Sequence, residues 1–122
     1  EDSQATMTES TDLQMGVIAF QHQDYETAFI LLHPIACSGN AEAQCILGNI
    51  YQLGLGVTPD LEEAARWYQR LSDQGYGVAT NNLAGMLGSG YANNAPDPEA
   101  ATHLYEKARS QGFSHAPRKY PY

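Results

Sequence analysis

The residues of this chain that could carry out chemistry are few and far apart. Histidines occur at His22, His33, His103 and His115, each in a different predicted element. Nucleophilic catalysis needs a base held within hydrogen-bond reach of a serine or cysteine. This spacing supports neither a Ser-His-Asp nor a Cys-His arrangement. We therefore expect no enzymatic activity and no cofactor.

Two further motifs have structural explanations that outweigh the catalytic ones. Glu62-Glu63 opens a predicted helix, where carboxylates are stabilised by the positive end of the helix dipole. Gly54-x-Gly56 also precedes a helix, but no strand comes before it and no lysine follows it, which argues against a phosphate-binding loop. Neither general acid–base chemistry nor nucleotide binding is expected here.

The elements that hold these residues repeat along the chain. Pro59-Asp60 recurs as Pro96-Asp97, and Gln74-Gly75 recurs as Gln111-Gly112, in both cases 37 residues later. A period of this length indicates stacked pairs of helices, because a single helical hairpin cannot bury its own apolar face. Stacked hairpins present a curved surface to another molecule, which favours binding over catalysis.

Periodicity and end signals predict six helices. Asp24 and Asp60 are expected N-caps, and Gly75 and Gly112 are expected to end helices in the left-handed conformation. The predicted helices lie near 13–21, 24–37, 41–53, 60–74, 77–88 and 97–111.

The ends of the chain are expected to lie outside the repeats. Residues 1–12 are polar without apolar periodicity and predict a disordered leader. The repeats should occupy 13–113, and 114–122 should form an end cap or a truncated continuation, since Pro117 and Pro121 oppose a full helix. Because the sequence starts at Glu1 and not at methionine, we expect that an upstream segment has been removed.

Charge is distributed unevenly. Residues 1–65 contain ten aspartates and glutamates and no lysine or arginine, whereas residues 66–122 contain four acidic and six basic residues. Such a surface repels nucleic acid and anionic lipid and attracts basic proteins, although it also simply confers solubility. No apolar run is long enough to span a membrane. We expect a protein partner with a basic surface, no nucleic acid and no membrane insertion.

The second repeat resembles the Sel1-like repeat, a subclass of the tetratricopeptide-like helical solenoids. The resemblance implies an all-α, right-handed superhelix of about three hairpins, whose first helices line a concave face, and it implies no reaction. The third repeat departs from the pattern, with Ala84 and Leu87 where the second has Gly48 and Tyr51. The matching residues are Ala41, Ala43, Leu47, Gly48, Tyr51, Gly54, Gly56, Val57, Asp60, Ala64, Trp67, Tyr68, Gln74 and Gly75.

The same resemblance implies a partner-binding groove along the first helices. Its polar positions predict an amide-rich, weakly acidic groove, and its less constrained aromatics could anchor a partner. Ordinary solvated surface is the alternative. The candidate residues are Phe20, Glu42, Asn49, Gln52, Asn81, Asn82 and Tyr91.

Cys37 and Cys45 are the only cysteines. Their spacing across a turn between helices is similar to that of cysteine-rich secreted members of the family, in which it joins successive helices. The resemblance therefore implies a Cys37–Cys45 disulfide and a periplasmic or secreted location. Two reduced core cysteines are the alternative. A metal site is not expected, because no third cysteine completes a ligand set.

Taken with the resemblance, these features suggest an extracytoplasmic interaction protein. One use of such proteins is as a periplasmic immunity protein that sterically blocks a type VI secretion toxin such as a phospholipase. The alternatives are an assembly adaptor in envelope or signalling pathways and a β-lactam-binding or hydrolysing enzyme, as described for cysteine-rich relatives.

Overall fold

The computed structural model describes the backbone of residues 2–116 and the side chains of residues 8–116. Within that part of the chain the secondary structure is all α, as predicted, and contains no strand. The predicted internal helix ends agree with the observed ones to within one residue. The six helices are α1 (Asp2–Gln21), α2 (Tyr25–Cys37), α3 (Ala41–Leu53), α4 (Leu61–Asp73), α5 (Gly77–Ser89) and α6 (Pro98–Ser110).

The start of α1 corrects the prediction of a disordered leader over residues 1–12. The helix begins at Asp2, eleven residues before the predicted start at Leu13. Extending an existing helix fixes one residue for each added hydrogen bond, whereas starting a helix fixes several residues for one bond. The apolar part of α1 therefore allows the helix to extend into polar residues that could not start one themselves.

Side-chain caps explain where four of the helices begin. A short polar residue before the helix accepts a hydrogen bond from the backbone N–H three residues later, which satisfies a group without a partner inside the helix. The predicted caps at Asp24 and Asp60 are confirmed. These caps and their N···O distances are Asp24 at 3.3 Å, Asn40 at 2.9 Å, Asp60 at 3.0 Å and Asp97 at 3.0 Å.

Glycines end the helices as the sequence predicts. The backbone φ angle is +99° at Gly75 and +100° at Gly112, in the left-handed region that residues with a Cβ rarely adopt. Among the helices of the described part, none combines the length and the apolar character needed to span a bilayer.

The chain divides into two compact units, Glu1–Pro59 and Asp60–Tyr122. The first unit contains α1 to α3, with α2 in contact with both of the others. At Gly16, α1 approaches α2 so closely that an added Cβ would lie 2.5 Å from Leu32 Cδ2. Gln44 of α3 is buried, and its Nε2 donates a hydrogen bond to the Ala36 carbonyl of α2 at 3.0 Å.

The second unit contains α4 to α6, with α5 in contact with both neighbours. Its apolar cluster contains mostly small side chains around Tyr105, which lets the helix backbones approach one another. Ala116, from the segment that follows α6, belongs to this cluster and is buried. The remaining residues of the predicted end segment, 117–122, lie outside the described residues.

A buried hydrogen-bond network holds the helices of the second unit in register. The Thr80 hydroxyl lies 2.6 Å from Gln111 Oε1 and 2.6 Å from Ser72 Oγ. Since an amide oxygen can only accept, Thr80 donates to Gln111 and accepts from Ser72. Gln111 Nε2 then donates to the Ser72 carbonyl at 3.0 Å. Thr80 in α5 therefore connects the end of α4 with the residue that caps α6.

Candidate functional site

The two cysteines of the predicted disulfide, Cys37 and Cys45, are both free thiols in the structure. Cys37 is exposed at the end of α2, whereas Cys45 is partly buried in α3. A disulfide requires the two Cβ atoms to face one another about 3.8 Å apart. The Cys37–Cys45 disulfide therefore stays a prediction from the resemblance.

One thiol–imidazole contact was missed by the sequence analysis. Cys37 Sγ lies 3.9 Å from His33 Nδ1, a pair whose four-residue spacing places both side chains on one side of α2. The His33 ring also stacks on Phe29, with ring centroids 5.3 Å apart. Because Cys37 is exposed to water, this pair is a surface contact and not an enclosed nucleophilic site.

The other histidines lie apart from one another. His22 follows α1 and His103 lies on α6, both exposed, while His115 packs edge-on against Phe113 at a centroid distance of 6.2 Å. In the described range, no group of three or more histidine, cysteine, aspartate or glutamate side chains could hold a metal ion.

The glycine-containing loop before α4 has a packing role. Gly54 and Gly56 have φ angles of +68° and +73°, and a Cβ on Gly56 would lie 2.8 Å from Tyr25 Cβ. The carboxylate of Asp60 already accepts the backbone N–H of Glu63 at the start of α4. A bound phosphate would have to displace this carboxylate, which supports the structural interpretation of the motif.

The two glutamates that open α4 lie in its first turn, where the dipole argument placed them. Glu62 is exposed, and Glu63 forms an ion pair with Arg66 one turn later. An ion pair within an exposed helix turn contributes little to stability, about 0.3–0.5 kcal/mol.

Four of the predicted partner-binding residues lie in the first unit. Phe20 is half-buried and packs edge-on against Tyr25 at a centroid distance of 5.7 Å, so it is held by the hairpin. Asn49 and Gln52 are half-buried on α3 and already interact within the chain. Glu42, in the first turn of α3, is exposed.

The other three predicted residues lie in the second unit. Asn81 and Asn82 are half-buried on α5, and the Asn81 Oδ1 atom is buried with no hydrogen-bond partner among the described residues. Tyr91 lies in the loop after α5, where it pairs with Asn94 and lines a hollow of about 330 Å³ beside Leu87.

A cleft runs along α1 in the first unit, and Glu42 is the one predicted partner-binding residue that lines it. It has a volume of about 650 Å³, and Glu42 of α3 completes its lining. We call it the α1 cleft. The sequence carried its signal, since residues spaced by three and four positions share one side of a helix. The α1 residues that line it are Ser10, Leu13, Gln14, Val17, Ile18 and Gln21.

Charge distinguishes the two units. The first contains seven acidic residues and no lysine or arginine, whereas the second contains seven acidic and six basic residues. The excess negative charge therefore belongs almost entirely to the unit that holds the α1 cleft. This surface favours the approach of a basic partner, and salt should weaken that attraction.

Comparison with known proteins agrees with the repeat geometry. The Sel1 repeat pattern matches residues 41–76 and 77–113. These are the two segments in which α3 with α4 and α5 with α6 follow one another along the chain.

Solved structures share the fold. A protective antigen present in uropathogenic Escherichia coli strains, which displays an SLR fold, is 28% identical with a TM-score of 0.78. A Sel1 repeat protein from Oxalobacter formigenes is 30% identical with a TM-score of 0.72. The matches cover 88% and 80% of this chain but 24% and 40% of those chains. The predicted Sel1-like repeat fold is therefore confirmed.

One protein with a similar sequence is named as a regulatory factor. Chitin synthase regulatory factor 3 of Schizosaccharomyces pombe is 38% identical over 58 residues, which is 48% of this chain. The match spans 6% of the length of that protein. Like the two structures, it therefore corresponds to this chain over less than half of its own length.

Proposed function

This chain belongs to the Sel1 repeat family, whose repeats mediate protein–protein interaction, and on that premise we propose that it binds a partner protein with a basic surface through its first unit. The observation that carries the proposal is the complete absence of lysine and arginine from a unit with seven acidic residues. Complementary charge accelerates association and selects among partners more than it raises affinity.

An affinity experiment tests this proposal. The full chain is immobilised, exposed to extract from the source cell and washed with increasing NaCl, and the retained proteins are identified by mass spectrometry. We expect a basic protein that elutes as salt screens the charges and that is retained poorly by the Glu42→Lys variant. The control is Glu99→Lys, which makes the same charge change in the first turn of α6, in the second unit. An acidic partner, or retention insensitive to salt, would contradict the proposal.

The finer form of the proposal is an inhibitory role outside the cytoplasm. The partner would be a toxin delivered by type VI secretion, such as a phospholipase, and this chain would be its periplasmic immunity protein. Binding would cover the active site or the membrane-binding face of the toxin. The support is the fold likeness to bacterial Sel1 proteins and the acidic first unit, which suits a basic, membrane-seeking toxin.

Directed expression tests the inhibitory role. Bacteria producing the toxin in the periplasm should survive when this chain is exported to the same compartment. They should not survive when the chain is retained in the cytoplasm. Equal survival from both locations would contradict a periplasmic site of action, and death in both cases would contradict immunity.

The likeness to a chitin synthase regulatory factor favours a second candidate, an assembly adaptor or regulator. An adaptor holds two proteins together, whereas an inhibitor needs one partner and abolishes its activity. The two are separated by measuring the activity of the captured partner in the complex and the number of proteins in it. No observation on the described residues favours the β-lactam-binding alternative, so it is not proposed.

A further inference from the structure

The α1 cleft is lined by both apolar and polar side chains. Leu13, Val17 and Ile18 supply its apolar lining, and serine, glutamine and glutamate side chains supply the rest. The lining runs from Ser10 to Gln21, which corresponds to about 16 Å at the helical rise of 1.5 Å per residue. That length matches about three turns of a second helix lying along α1.

Apolar surface in and beside this cleft is left open to solvent. Ile18 is 53% exposed, and Met15, on the same helix, is also 53% exposed. Single exposed apolar residues are common, but a continuous apolar strip bordered by polar groups marks an interaction surface. Leu13 also lines a second hollow of about 410 Å³ against α2, so the two hollows adjoin along α1.

The charges around the strip have one sign. Glu42 lies on the rim of the α1 cleft, and Glu9 lines the adjoining hollow. No lysine or arginine occurs in this unit to neutralise them. An occupant with lysine or arginine beside its apolar residues would therefore complement the surface in both properties.

We infer that the α1 cleft binds an amphipathic helix of the partner, about three turns long, with one apolar face flanked by lysine or arginine. A helix satisfies its own backbone hydrogen bonds, so it needs only an apolar strip and charge at the margins, as found here. The inference rests on the proposed function and adds to it the surface and the secondary structure that are recognised.

Peptide titration tests the inference on the full chain. The probe is a capped 14-residue peptide of alanine, leucine and lysine, with leucines at helical spacing on one face, and binding is measured by calorimetry. One control peptide has the same composition in an order that removes the apolar face. Another has proline at two central positions to prevent a helix. We expect binding of the first peptide only, weakening as NaCl is raised.

Matched variants locate the binding site. Ile18→Asp and Glu42→Lys should each weaken binding of the amphipathic peptide by about tenfold, since each removes a central apolar contact or an opposite charge. The controls are Ile30→Asp, at a side chain on α2 that is 63% exposed, and Glu26→Lys, also on α2. Circular dichroism confirms that all four variants keep their helices.

Each contrary result has a defined meaning. If Ile30→Asp weakens binding as much as Ile18→Asp does, the α1 cleft is not the binding site. If the proline peptide binds as well as the amphipathic peptide, the ligand is not recognised as a helix. A concentration-dependent dimer that Ile18→Asp abolishes would identify a second copy of the chain as the occupant, which also overturns the inference. Failure of the amphipathic peptide to bind overturns it as well. If the Ile18→Asp variant still captures a basic partner from the source cell, the proposed function stands, but the inference about the α1 cleft does not.

Discussion

At the scale of single residues, the two cysteine thiols differ in how far they are buried. Cys37 is exposed and beside His33, whereas partial burial, and secondarily the charge of Glu42, raises the pKa of the Cys45 thiol. The thiolate is the reactive form, so the two residues should differ in reactivity although they lie only eight positions apart.

Alkylation at about pH 8, near the usual thiol pKa of about 8.5, should therefore modify Cys37 before Cys45. In a Cys37→Ser variant, Cys45 should react slowly, and its rate should keep rising above that pH. Glu42→Gln should speed the reaction, because removing the negative charge lowers the pKa of the thiol. Iodoacetamide labelling followed by mass spectrometry gives both rates, and equal rates in the native protein would contradict this account.

The same shift links Cys45 to stability. A folded-state pKa above the unfolded value means that the unfolded chain ionises first as pH rises. The stabilisation of the folded state by the protonated Cys45 thiol is therefore complete below the ordinary thiol pKa. It is lost as the pH rises through the raised pKa of the folded state. Denaturant unfolding compared with Cys45→Ser across that interval should show the loss.

Asn81 provides a second prediction at this scale. Its Oδ1 is buried without a hydrogen-bond donor in the described part of the chain, and such a group costs about 1–3 kcal/mol. Asn81→Leu should therefore raise the melting temperature, by about 4 °C for a gain of about 1 kcal/mol. The control is Asn82→Leu at the half-buried neighbouring position, which should give no such gain. A lower melting temperature for Asn81→Leu would show that the oxygen is satisfied.

At the scale of elements, close helix approach depends on individual small residues. A Cβ on Gly77 would lie 2.9 Å from the Ala108 carbonyl oxygen and 2.9 Å from Phe113 Cβ, so α5 and α6 meet there without room for a methyl group. At Gly85, also on α5, the nearest atom to an added Cβ is Tyr105 Oη at 3.7 Å, an ordinary contact.

Gly77→Ala should therefore destabilise the second unit by about 1–3 kcal/mol, since overpacking forces the backbone to shift. Gly85→Ala should stabilise it by up to about 1 kcal/mol through helix propensity. Denaturant unfolding of the two variants gives both values. Similar effects from the two substitutions would mean that packing at Gly77 is looser than described.

Helix α2 accommodates a proline, Pro34, in its interior. Pro34 lies inside the helix and is exposed, so its ring faces solvent, and the lost hydrogen bond removes no buried contact. Its own carbonyl accepts hydrogen bonds from the Ser38 backbone N–H at 3.1 Å and hydroxyl at 2.9 Å, which complete the end of the helix.

At the scale of the whole molecule, the two units differ in net charge. Seven acidic residues without a basic one repel each other within the first unit, whereas the charges of the second unit nearly cancel. Self-repulsion of this kind destabilises a compact state and is screened by salt.

Raising NaCl from about 20 mM to about 300 mM should therefore stabilise the first unit selectively, because the Debye length falls below the spacing of surface charges. Amide hydrogen exchange, which reports opening of individual segments, should slow more in α1 to α3 than in α4 to α6. An equal change in both units would assign the salt effect to something other than net charge.

The sequence by itself determined the helices and their order. Helix ends are set by local hydrogen bonding and backbone freedom, so Asp24, Asp60, Gly75 and Gly112 could be assigned without knowing what packs on them. The period of 37 residues likewise identified the repeat, because it reflects one packing solution used more than once.

Only the tertiary structure decided which side chains lie together at the surface. Whether Phe20 is free or packed on Tyr25, and whether Cys37 lies beside Cys45 or His33, depends on side-chain directions that spacing alone does not fix. The α1 cleft likewise combines residues of α1 with Glu42, which lies 21 positions beyond the end of that helix. A site of this kind exists only once helices that are distant in sequence have packed together.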